Sequence, residues 1–149
     1  YLKKIILSDN QLVKDQVIIN PNAKSPKIIN RKMKINFISE IEESLEWDFI
    51  SLNQYAEIKI GENKIVQYEG KNLSNRAITV TADFIAKPEK IVPYLIKTEC
   101  FCFTEQTLKP GESQLFTMVF FLDPSLDSDK DLDQITDLVF TYRLSEYKS

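Results

Sequence analysis

Short runs with a period of two dominate this chain and restrict its fold more than any other feature. From Arg31 onward, apolar Met33, Ile35 and Phe37 alternate with polar residues, which is the pattern of a half-buried strand. Only residues 88–95 suggest a helical turn, and Pro93 limits its length. Further strand-like runs are Trp47 to Ile50, Ala56 to Ile60, Lys64 to Glu69, Ala77 to Ala86, Lys97 to Thr104, Gln114 to Leu122 and Leu138 to Leu144.

The order of these elements predicts the fold class. Turns rich in Gly, Pro and Asn separate most of the runs, and no helix is placed to form a βαβ unit. About seven or eight short strands fit a single all-β domain, an immunoglobulin-like antiparallel β-sandwich. Pro21 and Pro26 interrupt the beginning of the chain. We therefore predict an N-terminal arm or linker over residues 1–30 and the folded domain over residues 31–149.

Composition excludes several classes of function. The 149 residues include 19 basic and 22 acidic side chains, so no broad positive field favours nucleic acid. The chain has no histidine, which excludes a Ser-His or Cys-His nucleophile within it and the usual zinc ligand. These absences exclude particular kinds of site. Because the sequence begins at Tyr1, we also expect that an upstream segment, such as a membrane anchor, has been removed.

The two cysteines of the chain, Cys100 and Cys102, lie two residues apart in a predicted strand. Residues two apart share one face of a strand, so both thiols should lie on one face and Phe101 and Phe103 on the other. Two phenylalanine rings bury far more apolar area than two thiols. The pattern therefore predicts that the phenylalanines face the core and the cysteines face outward.

Three interpretations of the cysteine pair are open from spacing alone. Both residues could be inert small hydrophobes. A disulfide between them would require a kinked strand, because residues two apart in a straight strand are at or beyond the limit for a bridge. If the pair binds a metal, two thiolates without histidine favour Cu(I). Met33 and Met118 are the other soft donors, but each lies in an alternating apolar run that favours core packing.

The segment around the cysteines is similar to a known motif. Cys-Phe-Cys-Phe-Thr-Glu-Gln at residues 100–106 resembles the signature of the CtaG family of copper chaperones for cytochrome c oxidase. The resemblance extends from about Arg31 to Arg143. The supporting matches are Lys97 to Glu99, Thr107-Leu108, Pro110-Gly111-Glu112, Phe120 to Pro124, Trp47, Phe49, Gly61-Glu62, Asn72, Ser74, Arg76, Lys87 to Lys90, Tyr94 and Asp131-Leu132-Asp133.

The resemblance implies a function and a site. It implies that Cys100 and Cys102 bind Cu(I), that Lys97 supports them together with Phe101 and Phe103, and that copper is delivered to the copper B site of oxidase subunit I. An upstream copper donor would load the protein. The copper carrier that the resemblance implies would not be an enzyme. The implied location is the periplasmic side of a bacterial inner membrane, or the mitochondrial intermembrane space, with a single preceding transmembrane helix as the anchor.

Two features depart from the family pattern. Phe116 and Thr117 stand where the family often has Met-Pro, and Met118 follows on the same strand face as Phe116. The family also tends to carry a third cysteine beside its membrane helix, and residues 1–30 contain none.

Three functions compete at this stage. The leading one is a copper carrier, and the alternative is a thiol-disulfide oxidoreductase that uses the same pair. The oxidoreductase is less favoured because redox enzymes usually separate their two cysteines by two residues. The third is a structural interaction domain with buried cysteines. For the carrier we further predict a copper-linked homodimer, in which two facing pairs supply four thiolates.

Overall fold

The computed structural model describes residues 18–100 and 105–147, which form two five-stranded sheets. Three short 3-10 turns span Glu89–Tyr94, Pro124–Ser128 and Lys130–Leu132. The ten strands of the described residues are β1 (Ile18–Ile19), β2 (Ile29–Ile41), β3 (Trp47–Ser51), β4 (Tyr55–Ile60), β5 (Lys64–Asn72), β6 (Ile78–Lys87), β7 (Leu95–Glu99), β8 (Gln106–Leu108), β9 (Ser113–Leu122) and β10 (Asp137–Glu146).

The two sheets have the strand orders β1-β7-β9-β5-β3 and β4-β2-β10-β6-β8. The predicted all-β sandwich is confirmed. Most neighbouring strands are antiparallel, but β1 pairs with β7 and β10 pairs with β2 in parallel. Alternation of apolar residues predicts which face of a strand is buried, but it contains no information about the direction of the neighbouring strand. The sequence pattern therefore could not reveal the two parallel pairs.

The core lies between the sheets and is built from the alternating residues. Met33, Ile35 and Phe37 are all buried, as their spacing predicts. Aromatic rings from both sheets meet there edge to face, with ring centroids 6.4 Å apart for Phe37 and Phe120 and 5.4 Å apart for Phe120 and Phe140. Such contacts add to the stabilisation that burial of the rings already gives.

Several predicted elements begin or end at other residues in the structure than the sequence pattern suggests. The helical turn expected over residues 88–95 is the 3-10 turn Glu89–Tyr94. The strand expected over residues 97–104 begins earlier, at Leu95, and ends at Glu99. Strands β1 and β8 were not predicted, since runs of two and three residues are too short to show a period. No helix within residues 18–100 and 105–147 has the length and apolar character needed to cross a membrane.

The arm that precedes β2 is attached to the sandwich at two places. Ile18 and Ile19 pair with Ile96 and Lys97 of β7, and the backbone N–H of Asn20 donates to the carbonyl oxygen of Lys97 at 2.8 Å. Further along, the arm passes the turn between β4 and β5 at Gly61. The domain boundary at Arg31 stays a prediction, and β2 begins two residues before it, at Ile29.

Two glycines with positive φ allow a test of the second attachment. Gly61 has φ +90°, and a Cβ there would lie 2.0 Å from the carbonyl oxygen of Lys27. Gly111 has φ +77°, and a Cβ there would meet no atom within 4 Å. Both Gly→Ala changes carry the cost of a left-handed residue, about 1–2 kcal/mol. We expect Gly61→Ala to lower the urea midpoint clearly more than Gly111→Ala, because the arm must also move; equal midpoints would contradict this contact.

Candidate metal centre

Strand β7 contains an irregularity just before Cys100. Lys97 pairs with Phe120 and Glu99 pairs with Val119, so β7 has one residue more than its partner β9 between these pairs. A β-bulge of this kind reverses the alternation of side chains. Cys100 is consequently partly buried and packs against the core. The prediction that it faces outward is wrong, because that prediction assumed an uninterrupted strand.

The next four residues of the motif, 101–104, lie outside the described residues. They include Phe101, Cys102 and Phe103, whose predicted orientations and roles stay predictions. The described chain resumes at Glu105 and enters β8, which belongs to the sheet opposite β7. Buried Asn72 anchors the end of β8, since its side-chain Nδ2 donates to the carbonyl oxygen of Leu108 at 2.9 Å. The cysteine motif thus connects two strands that are each fixed in a different sheet.

Cys100 is disulfide-bonded in this structure. The only other cysteine in the sequence is Cys102. Strand β7 ends at Glu99, so Cys100 itself lies beyond the strand. A disulfide sulfur is not a thiolate ligand, so binding of a soft metal ion here requires reduction of the bond first.

The hydroxyl of Tyr142, on β10, is the centre of a polar cluster behind Cys100. Its oxygen accepts a hydrogen bond from Nζ of Lys97 at 2.6 Å and lies 3.2 Å from Sγ of Cys100. It also donates to Sδ of Met118 at 3.4 Å. Nζ of Lys97 is itself 3.5 Å from Sγ of Cys100. The fold therefore places an amine and a phenol next to one cysteine sulfur, and a thioether next to the phenol.

Burial changes the protonation preferences of this cluster. Lys97 has 0% of its surface exposed, and its Nζ lies 3.4 Å from the centroid of the Phe84 ring. Desolvation holds the pKa of Lys97 well below its usual range and raises the pKa of Tyr142 well above the usual range of a phenol. The hydroxyl of Tyr142 therefore keeps its proton, and a charge on Lys97 is costly unless an anion lies nearby.

Cys100 also lines a cleft that is open to solvent. An open cleft of about 250 Å³ is lined mainly by polar side chains and by Cys100 itself. Its lining residues are Glu99, Cys100, Gln106, Gln114, Leu115, Phe116 and Thr117. In the part of the chain that the structure describes, no three Cys, Asp or Glu side chains are grouped to hold a metal ion.

Sequence reasoning placed Lys97 near the cysteines but missed Tyr142 and Phe84. The alternation of β10 puts Tyr142 on the buried face, yet nothing local indicates that its hydroxyl lies beside a cysteine 42 residues earlier. Met118 was expected to pack in the core, and it is fully buried. It contacts the cluster through Tyr142, a relation that only the packing of the two sheets reveals.

A family model described as "Cytochrome c oxidase assembly protein CtaG/Cox11" matches residues 8–146 of this chain. The chain belongs to the CtaG/Cox11 family. The resemblance proposed from the Cys-Phe-Cys-Phe motif is confirmed by this match, which covers nearly all of the 149 residues.

The chain is also similar in sequence to individual members of the CtaG/Cox11 family. The chain is 37% identical over 120 residues to the cytochrome c oxidase assembly protein CtaG of Paracoccus denitrificans, covering 80% of this chain and 62% of that protein. It is 36% identical over 118 residues to CtaG of Brucella canis, covering 79% and 59% of the two chains. For CtaG of Brucella anthropi the identity is 34% over 118 residues, with 79% and 58% covered. The chain thus spans about three fifths of the length of these relatives.

Proposed function

We propose that this chain is a Cu(I) carrier in the assembly of cytochrome c oxidase and not an enzyme. The observation that supports this best is the position of Cys100, which lines an open cleft and whose sulfur contacts a buried amine and a buried phenol. A carrier must hold its ion firmly and still release it to a partner. A cysteine that contacts buried polar groups and also lines a solvent-accessible cleft meets both requirements.

The chemistry of the cluster fits Cu(I) with Cys100 and Cys102 as its ligands. Soft thiolates prefer this ion, and two thiolates with one Cu(I) carry a net charge of about −1. A protonated Lys97, 3.5 Å from Sγ of Cys100, would balance that charge where water is scarce. The supporting role predicted for Lys97 thus has a physical basis. Phe101 and Phe103 remain proposed as supporting residues of the site.

The relatives support a link to cytochrome c oxidase, and the copper B site is what the resemblance of the cysteine motif implies. The proteins of Paracoccus and Brucella are named for cytochrome c oxidase assembly. We propose that this chain likewise serves the oxidase, that it passes Cu(I) from an upstream donor to the copper B site of subunit I, and that a preceding membrane helix holds it at the periplasmic or intermembrane-space side. A copper-linked homodimer, in which two pairs face each other, belongs to the same proposal.

An anaerobic titration of the reduced protein with Cu(I) tests the carrier function. We expect about one bound Cu(I) per chain, with thiolate-to-copper charge transfer in the ultraviolet. The Cys100→Ser, Cys102→Ser double variant should bind none, because it lacks both thiolates. Met33→Leu, which changes a buried soft donor elsewhere in the core, should bind as the parent does. Stoichiometric copper in the double variant would refute the assignment.

The disulfide at Cys100 favours a second candidate, a thiol-disulfide oxidoreductase. Such an enzyme would reduce or oxidise a protein disulfide repeatedly in the presence of a small-thiol buffer. The carrier hypothesis predicts no turnover above the rate that the buffer alone gives. An insulin-reduction assay distinguishes the two functions, since an enzyme accelerates the reaction at concentrations far below that of its substrate.

A further inference from the structure

We propose that Tyr142 is a positioning residue for Cys100, and that its hydroxyl proton has two alternative acceptors. When Cys100 is disulfide-bonded, the hydroxyl donates to Sδ of Met118. When Cys100 is reduced or holds copper, the hydroxyl turns and donates to Sγ of Cys100. The part that concerns copper rests on the proposed function, whereas the part that concerns the disulfide does not.

The distances around the hydroxyl support this exchange. Nζ of Lys97 donates to the oxygen from 2.6 Å, so the single hydroxyl proton must point elsewhere. Among the described residues, two sulfur atoms are close enough to accept it, Sδ of Met118 at 3.4 Å and Sγ of Cys100 at 3.2 Å. One proton can serve only one of them at a time. The choice therefore depends on which sulfur is the better acceptor.

The acceptor strength of Cys100 changes with its chemical state, whereas that of Met118 does not. A disulfide sulfur carries little negative charge and competes poorly with a thioether for the proton. The sulfur of a reduced thiol accepts a hydrogen bond about as well as a thioether does, and it lies closer to the hydroxyl, at 3.2 Å against 3.4 Å for Met118. When that sulfur is bound to Cu(I) it is a thiolate, and hydrogen bonds to charged acceptors are about twice as strong as those to neutral ones. Reduction or metal binding thus draws the proton from Met118 to Cys100.

The ring of Tyr142 is held so that only its proton needs to move. The side chain is fully buried, and its centroid lies 5.1 Å from that of Tyr68 and 4.8 Å from that of Phe84. Strand β10 pairs with strands on both sides, β2 and β6. A hydroxyl fixed in this way supports a bound sulfur without a cost of reorganisation.

The exchange predicts how substitutions alter the disulfide equilibrium. Two molecules of a small thiol reduce the disulfide by supplying two electrons and two protons, and they leave as one small disulfide. Tyr142→Phe removes the hydrogen bond to the reduced sulfur and should favour the disulfide about tenfold. For a two-electron couple, this makes the reduction potential of the disulfide about 30 mV more negative. Met118→Leu removes the acceptor used in the disulfide form and should shift the equilibrium in the opposite direction.

The test equilibrates the whole chain with glutathione redox buffers and quantifies free thiols. Tyr94→Phe is the control for loss of a phenol, because its hydroxyl donates to Asp129 at 2.5 Å and lies before β7, at the end away from Cys100. Met33→Leu is the control for loss of a buried thioether. Neither control should move the potential. A purely structural role of Tyr142 and Met118 would give no shift or shifts of the same sign, and either result overturns the proposal.

A second measurement concerns copper. Competition with a chromophoric Cu(I) chelator should show about tenfold weaker binding in Tyr142→Phe than in Tyr94→Phe. If copper does not bind to any variant while the two potentials shift in opposite directions, the carrier function fails and the role of Tyr142 stands. If copper binds equally to Tyr142→Phe and the parent and the potentials do not move, the role of Tyr142 is refuted and the carrier function stands.

Discussion

Replacing Phe120 with alanine is expected to lower the free energy of unfolding by about 3–5 kcal/mol. The ring of Phe120 is fully buried between the sheets and contacts the rings of Phe37 and Phe140. The substitution removes the buried apolar area and leaves a cavity that a rigid sandwich fills only partly. Equilibrium unfolding in urea, followed by tryptophan fluorescence of Trp47, measures the change.

The control for Phe120 is an apolar residue on the outer face of the same sheet. Ile65 of β5 pairs with Val119 but is 59% exposed. Ile65→Ala should therefore change the free energy of unfolding by about 0.5 kcal/mol or less. Equal losses for Phe120→Ala and Ile65→Ala would mean that the core is not where the two sheets place it.

Replacing Lys97 with methionine is expected to stabilise the fold, by about 1–4 kcal/mol, and to weaken copper binding. Methionine fills a similar volume without burying an amine, and the hydroxyl of Tyr142 keeps Met118 as its acceptor. Copper binding weakens because the charge of the two-thiolate complex loses its nearest cation. Urea unfolding and chelator competition on the same samples measure both effects.

The stabilisation by Lys97→Met should depend on pH. The pKa of Lys97 is lowered in the folded chain, so the folded state binds fewer protons than the unfolded state does. The free energy of unfolding of the parent therefore rises with pH until the unfolded lysine loses its proton, at about pH 10. The advantage of Lys97→Met should shrink over the same range. Exposed Lys71→Met serves as the control and should show no such trend; a loss of stability in Lys97→Met at neutral pH would contradict the argument.

The sequence was sufficient to predict strands in which apolar and polar residues alternate without interruption. Met33, Ile35 and Phe37 alternate without interruption, and the strand that contains them buries those three side chains. The same rule failed at Cys100, because a single extra residue in β7 reverses the alternation. Nothing in the residues between Lys97 and Cys100 marks that bulge, since it arises from how β7 pairs with β9.

The polar cluster could not be predicted for a different reason. A lysine in a strand is usually assigned to the solvent-exposed face, yet Lys97 is among the largest fully buried side chains. Its phenol partner, Tyr142, lies 45 residues further along and in the opposite sheet. Periodicity describes one strand at a time, whereas this contact depends on how two sheets are stacked. The family motif identified the cysteines, and the stacking supplied the groups behind them.

The short parallel strand β1 determines where the N-terminal arm meets the sandwich. Ile19 pairs with Lys97, three residues before Cys100, or about 10 Å along an extended chain. The arm therefore joins the sandwich close to the proposed cargo site. If the chain that precedes β1 is held by a membrane, as proposed, the pairing of β1 with β7 means that this tether enters the sandwich on the strand that leads to Cys100.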